Sequence, residues 1–529
     1  MPEARVNPPA EELHARRWPI FGVTMIGLFM ALIDVTIVNI SIPELQRDLE
    51  APVGDVSWVL NAYNITFAVL LVGMGRLADQ FGRRRFFLIG MGIFTLGSLL
   101  CSLAPSIEAL VSFRVVQAVG AGVLAPLALA TTTLVFPPHQ RGLGLAMMAL
   151  VANIAGALGP PLGGILIEFA SWHWIFAINV PIGIAGMLLA LRVMPETYDL
   201  SSSRRVDWLG MALLAAAAFA LTYGLVEANE RGWGSPLIVG LLGGSALLAG
   251  LFALSQRYGR APMVTSALVR NGQFMGANAT MLLLAMAVMG MLFLAVLAFV
   301  TLWDYSELEA ALALLPVPLS AAVVAPIVAR RADSVPPRRM GVAALVLLAA
   351  GLLWLSSLPA EPSYGSVIGP LLVAGIGMGI GWPAVNVGAM GSIAGQELGL
   401  GSGIVNMARQ VGFTIGVAVL VAVFTGVLDG RREQVRAEAT RIASAAGVRG
   451  EELRRLVDRA TAPPRDGRAA APVGELERRV ASAASEARRD AFAAGFRVAA
   501  LAALLGAPFA LSMRRRPSEA RAAPALAAQ

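Results

Sequence analysis

An acid inside an apolar stretch is the clearest chemical signal in this sequence. Asp34 interrupts the run from Ile20 to Pro43, and Arg114 sits in another such run beginning near Ile107. A charge near the bilayer centre costs about 2.5–3.5 kcal/mol on insertion scales, so such a residue has a partner or a task. Burial and a neighbouring guanidinium pull a carboxyl's proton affinity in opposite directions. Movement of one group relative to the other therefore switches whether the carboxyl holds a proton. Proton uptake and release at Asp34, with Arg114 as its counter-charge, is the chemistry expected. A static pair that fixes helix packing is the alternative the sequence leaves open. Other chemistry finds little support. The three histidines, His14, His139 and His173, lack metal-ligand spacing, and no nucleophile elbow or GxxxxGK[ST] phosphate loop occurs. The chain is not expected to be an enzyme, to need a cofactor or to bind metal; a proton gradient is the expected energy source.

The elements that must hold these charges are membrane-spanning helices. Of 529 residues, 57% are hydrophobic and 14% charged, too little polar surface for a soluble protein. Cys101 is the single cysteine, which excludes a disulfide scaffold. The net charge of +7 comes from arginine clustered between apolar runs. That is a sidedness signal and not a nucleic-acid footprint. A spanning helix needs about 20 apolar residues, and fourteen stretches qualify: 19–42, 58–76, 86–104, 107–128, 143–167, 174–193, 208–228, 236–256, 275–302, 309–329, 340–358, 365–389, 403–427 and 491–512. The polar first seventeen residues are not expected to form a cleavable leader. With both termini in the cytoplasm, Arg83 to Arg85, Arg204, Arg205, Arg330, Arg331 and Arg514 to Arg516 fall inside, leaving Arg47 and Arg231 in the opposite short loops. Residues 429–490, with fourteen Arg and eleven acids, form a long extracytoplasmic segment. It is expected to hold short amphipathic helices broken at Pro463-Pro464 and Pro472, as a solvated cap.

Asp34, some fifteen residues into the first span, lies about 22 Å from its cytoplasmic edge. Arg114 enters the fourth span from the other face and reaches a similar depth. Glu227 and Asp304 fall at span ends and read as interfacial residues; Arg409 lies about nine residues into the thirteenth span, to line a cavity or bond backbone carbonyls. An internal repeat is visible. GRLADQFGRRR, Gly75 to Arg85, recurs in degraded form as ARRADSVPPRR, Ala329 to Arg339. Two six-helix halves with a two-helix insert fit this, an architecture in which parallel repeats face each other across a midplane cavity. The fifth span carries GALGPPLGG, whose Gly156, Gly159, Gly163 and Gly164 share one face and admit a neighbouring backbone, with Pro160 and Pro161 bending the helix. In the loop after the second span, Asp79 is placed to meet a helix terminus or an arginine across the gap between the halves.

These segments resemble the major facilitator superfamily, specifically its fourteen-span drug:proton antiporters. LIDVTIVNISIP (Leu32 to Pro43), the Gly75–Arg85 loop, RVVQAVGAG (Arg114 to Gly122), GALGPPLGG, WHWIFAINVPIG (Trp172 to Gly183) and ARQVGFTIGVA (Ala408 to Ala418) are similar to that group's motifs in order along nearly the whole chain. The resemblance implies an all-α polytopic membrane protein of the major facilitator fold, two six-helix bundles plus two inserted helices. The divisions expected are 1–195, 196–270 and 271–529. It implies proton-coupled export of lipophilic or amphipathic drugs or metabolites, as in multidrug efflux and antibiotic resistance, by a monomer among the lipids of a bacterial inner membrane. It assigns Asp34 and Arg114 to coupling, and Gly75, Asp79, Gly82, Arg83 and Arg84 to the gating loop. Ala118, Trp303-Asp304 and Pro336-Pro337 depart from the group's pattern and bear on substrate identity. Expected cavity residues are Asn39, Asn61, Tyr63, Asn64, Gln117, Asn153, Asn278, Asn406 and Arg409, an amide-rich lining that suits amphipathic molecules better than sugars or phosphates. Interhelical hydrogen bonding is the other role open to each. A carrier of lipids or other lipophilic metabolites is the main alternative, and a non-transporting sensor a remoter one.

Overall fold

Fourteen long helices account for the apolar stretches: α1 Arg17–Ile37, α2 Val53–Phe81, α3 Arg83–Ser102, α4 Ile107–Val135, α5 Arg141–Phe169, α6 Asn179–Val193, α7 Trp208–Arg231, α8 Pro236–Tyr258, α9 Gly272–Thr301, α10 Pro316–Arg331, α11 Pro337–Ser356, α12 Tyr364–Met390, α13 Leu398–Ala445 and α14 Glu475–Ala510. They come from a computed structural model that describes residues 8–137, 140–198, 207–259, 262, 266–303, 305–331, 335–359, 362–393, 398–445 and 475–513. Among the described residues, thirteen helical segments are long and apolar enough to cross a membrane. The remaining helix, α2, has 29 residues, about 43 Å of rise, and so the length to do the same. No strand occurs among the described residues.

Local chemistry sets many of the helix ends. Side chains of Ser106, Asp207, Ser235 and Asn271 cap α4, α7, α8 and α9 by accepting backbone N–H bonds of the first turn. Proline breaks two expected spans. The first leaves α geometry at Ile37, passes through a 3-10 turn at Val38–Ser41 and resumes as Ile42–Asp48. Pro43 has no N–H to give and its ring crowds the carbonyl four residues back. The span expected at 309–329 splits likewise into Glu307–Ala313 and α10, which begins at Pro316.

Alternation of the helices puts Arg16, Arg17, Arg83 to Arg85, Arg192, Arg257, Arg338 and Arg339 at one end of the molecule. The two six-helix bundles, α1–α6 and α9–α14, meet along α2 against α13 and, at the end away from those arginines, where Glu307–Ala313 packs on α5. The inserted pair packs on itself, with Ser245 Oγ donating to the Ala217 carbonyl at 2.8 Å. Met211 of α7 also packs beside Val69 of α2 and Met407 of α13. Within each bundle a glycine seam lets backbones approach. A side chain at Gly163 would meet the Ile37 carbonyl at 2.9 Å, and one at Gly416 would meet Met286 Cα at 2.9 Å.

The segment 429–490 differs from expectation in its described parts. Instead of separate short helices, α13 runs 48 residues without a break, about 72 Å, and α14 begins at Glu475, well before the expected span at 491. Arg431 pairs with Asp490 across the two, and Phe424 packs on Phe492. Alanine and arginine are strong helix formers, and they carry the helix past Gly430 to Ala445. The prolines expected to break the segment lie outside the described residues.

Candidate functional site

Four helices converge on the buried charges. Asp34 on α1 and Arg114 on α4 are both 0% exposed and form an ion pair through Arg114 Nη1 and Asp34 Oδ2. The same Nη1 donates to Gln117 Oε1 at 2.7 Å, and Gln117 Nε2 donates to Asp34 Oδ1 at 2.9 Å and to Ser98 Oγ at 2.9 Å. Gln117 follows Arg114 by three residues, so both emerge from one face of α4. Arg114 Nε reaches across to the Val59 carbonyl of α2 at 3.0 Å. Tyr63, one turn further along α2, lies with its ring 4.1 Å from the guanidinium carbon and donates its hydroxyl to the Ala31 carbonyl at 2.9 Å. A cation over an aromatic face is favoured most where water is excluded. A second ring, Phe176, lies 5.6 Å away. Arg114 Nη2 alone in this cluster has no hydrogen-bond partner among the described residues. The arrangement buries an acid and a guanidinium together, bridged by an amide that bonds both.

The expected coupling pair is therefore brought together. Gln117 and Tyr63, offered as cavity candidates, take here the interhelical hydrogen-bonding role also open to them: their polar atoms bond Arg114, Asp34 and the α1 backbone. The i,i+3 spacing of Arg114 and Gln117 carried the signal for the first; nothing local to α2 announced the second. Ser98 is a further member that sequence reasoning missed.

The remaining cavity candidates divide. Asn39, Asn278 and Asn406 donate to carbonyls of their own helices, Val35 at 3.1 Å, Phe274 at 2.8 Å and Ser402 at 3.0 Å. They contact neither a neighbouring helix nor one another through these bonds. Asn61 and Asn64 are buried with both amide atoms unpaired among the described residues, as is Gln410 of α13. On α2, Val59 and Tyr63 face α4 and α1, Trp58 faces the rings of α7, and Asn61 and Asn64 lie on the side of the helix opposite Val59 and Tyr63. Arg409 is half-buried and its Nε is unpaired among the described residues. Asn153 lies outside the residues whose side chains are described, and Asp304 outside the described residues. Glu227 pairs with Arg231 one turn on at 2.7 Å, at the helix end as expected.

The glycine motif of α5 lies against α1. Side chains at Gly159 and Gly163 would collide with Thr36 and Ile37, one at Gly156 would meet nothing within 4 Å, and Gly164 is buried. Positions 155, 159 and 163 follow one another at i,i+4 along α5, and the contact runs along them, with the Ala155 carbonyl accepting from Thr36 Oγ1 at 3.5 Å, and leaves Gly156 aside. Gly156 is thus not part of the close approach. Pro160 and Pro161 lie within the continuous helix.

In the expected gating loop, Gly75 and Asp79 lie outside the residues whose side chains are described. Gly82 has φ +110°, a conformation open to glycine. Arg83 is buried, and its N–H donates to the Thr197 carbonyl at 3.0 Å. Arg84 Nη2 donates to the Leu191 carbonyl at 2.9 Å. Glu196, which sequence reasoning passed over, accepts from the backbone of Arg84 at 3.0 Å and of Arg85 at 3.2 Å.

Residues 24–417 match the family model of the Major Facilitator Superfamily. The tetracenomycin C resistance and export protein of Streptomyces glaucescens is 30% identical over 526 residues, covering 98% of this chain and 96% of that protein. The multidrug resistance protein Stp of Mycobacterium tuberculosis is 32% identical, covering 78% and 76%. The puromycin resistance protein pur8 of Streptomyces alboniger is 36% identical, covering 78% and 82%. Among solved structures, a bacterial homologue of the human lysosomal transporter Spinster, inward-facing and unoccupied, superposes with TM-score 0.63 at 16% identity, covering 97% of this chain and 100% of that one.

Proposed function

The chain belongs to the Major Facilitator Superfamily, and from that premise we propose that it exports lipophilic or amphipathic compounds in exchange for protons. The buried Asp34–Arg114–Gln117 network carries the proposal. An ionised Asp34 is held by Arg114 and Gln117. A proton on Asp34 cancels its charge, and Arg114 then keeps the Gln117 oxygen, the Val59 carbonyl and the Tyr63 ring. The attraction between α1 and α4 weakens by that change alone. Thr36 and Ile37, on the next turn of α1, are the residues packed on the α5 glycines. Loading a proton thus frees α1 to shift along that seam, and alternation between the two arrangements opens the cavity to one face and then the other.

The relatives named for resistance to or export of tetracenomycin C and puromycin support amphipathic antibiotics as the substrate class. The unpaired amides Asn61, Asn64 and Gln410 offer uncharged hydrogen-bonding groups between the bundles. On this reading the arginine-rich end faces the cytoplasm of a bacterial cell, both termini lie there, and a monomer is the working unit. Residues 1–195, 196–270 and 271–529 form its three parts, and the cytoplasmic loop from Gly75 to Arg84 acts as the gate.

The test is efflux of a fluorescent amphipathic dye in everted vesicles. The wild type is expected to move dye only while a proton gradient stands, and a protonophore to stop it. Asp34→Asn, inserted to wild-type level, is expected to lose at least a hundredfold of that flux. Full transport by this variant, or flux indifferent to the protonophore, would overturn the reading.

A further inference from the structure

The start of α3 is a helix that its own sequence cannot begin. The first turns of any helix leave backbone N–H groups without internal partners, and a side chain at the preceding position usually accepts from them. Here that position is Gly82, with no side chain to offer. The first three helical residues are Arg83, Arg84 and Arg85, which add positive charge to the end of the helix dipole that is already positive. Arginine at this loop serves sidedness, and it does so at the worst electrical position on the helix.

A residue 112 positions away supplies what is missing. Glu196, half-buried just beyond α6, accepts from the N–H of Arg84 and Arg85, and the carbonyl of its neighbour Thr197 accepts from Arg83. The first three amides of α3 are therefore all satisfied by residues 196–197, and a negative charge stands where the dipole favours one. Gly82 is shaped to this contact. A Cβ there would sit 2.6 Å from Glu196 Cδ. The favour is returned, because Arg84 Nη2 and Arg16 Nη2 donate to the carbonyls of Leu191 and Val193 at the end of α6. Two helix ends thus exchange caps.

We infer that Glu196 is a positioning residue for transport: a helix cap supplied in trans that locks the loop between α2 and α3 to the end of α6. The inference rests on the antiport reading for its consequence, while the lock itself is a separate matter of structure. With equal amounts inserted in proteoliposomes, Glu196→Ala lowers kcat at least tenfold and leaves KM within twofold, since Glu196 acts on the backbone of α3 and not on the amides Asn61, Asn64 and Gln410. Glu196→Gln keeps an acceptor oxygen and stays within threefold of the wild type. In an Arg85→Cys background, where the native Cys101 is buried, Glu196→Ala speeds modification by a water-soluble maleimide at least fivefold and Glu196→Gln does not.

The inference is overturned by wild-type kcat in Glu196→Ala, by a rise confined to KM, or by equal loss of membrane-inserted protein in both variants. Unchanged maleimide rates overturn it too. If the wild type shows no proton-driven flux, the antiport reading has failed; the maleimide rates then still decide whether the lock exists.

Discussion

The two bundles carry the same loop and finish it in different ways. In the first, Arg83 donates to the carbonyl just past α6, and Glu196 closes over the next two amides. In the second, Pro336 precedes α11 and Pro337 is its first residue, so the first amide is absent and needs no acceptor; Arg338 then donates to the Met513 carbonyl just past α14, at 3.1 Å. The backbone contact between the third helix of a bundle and the end of its sixth survives in both. What differs is charge. Among the described residues, the first loop adds the Glu196 carboxylate and the Arg84 side chain to that contact, and the second adds proline. The membrane interior repeats the contrast, since among the described residues the only fully buried ion pair is Asp34–Arg114, in the first bundle. The lesson is a division of labour. On the antiport reading proposed above, one bundle holds the groups that respond to protons and charge, and the other provides the surface against which it would move.

The contrast is broken or sharpened most strongly at Arg114 and Arg409, one in each bundle. Arg114→Ala strands Asp34 and should remove about 3–5 kcal/mol of unfolding stability in detergent, whereas Arg409→Ala, with no acid paired to it among the described residues, should change it by no more than about 1 kcal/mol. Adding Asp34→Asn to Arg114→Ala should restore much of the stability and none of the transport. Equal damage at both arginines would end the idea of a one-sided charge store. A middle-sized effect is expected in α5. Gly163→Val pushes into Ile37 and should cost roughly 2–3 kcal/mol with a matching loss of flux, while Gly156→Val, facing open space, should be close to neutral in a thermal-shift assay. The smallest concerns the loops themselves. Gly82→Ala must adopt a glycine conformation and meet Glu196, at a cost of about 1–3 kcal/mol; Pro336→Ala should stay within about 0.5 kcal/mol. Reversal of that order would show that the second loop, not the first, is the strained one.

Much of this was legible in the sequence because it rests on period and depth. Helix count, the repeat, and the equal depth of Asp34 and Arg114 follow from rise per residue and hydropathy. The pairing of Gln117 with Arg114 was within reach through its i,i+3 spacing. Tyr63, Ser98 and Glu196 were not, since their partners lie on other helices and a side chain's aim across a bundle has no local signature. The bonds that Asn39, Asn278 and Asn406 make to their own helices were out of reach for a related reason. An amide in an apolar helix satisfies its N–H groups on the turn behind it as readily as on a neighbour. The extension of α13 and α14 escaped because mixed charge was read as a sign of a cap, when alanine and arginine continue a helix as well as they solvate a loop.

The unbroken length of α13 makes it a lever. From Gly412, where its backbone meets α9, to Ala445 the arm is about 50 Å, so a tilt of roughly 10° at the fulcrum sweeps the tip through about 9 Å. A spin label placed there would magnify rearrangements too slight to resolve between the bundles, turning the hairpin into a pointer for the working cycle.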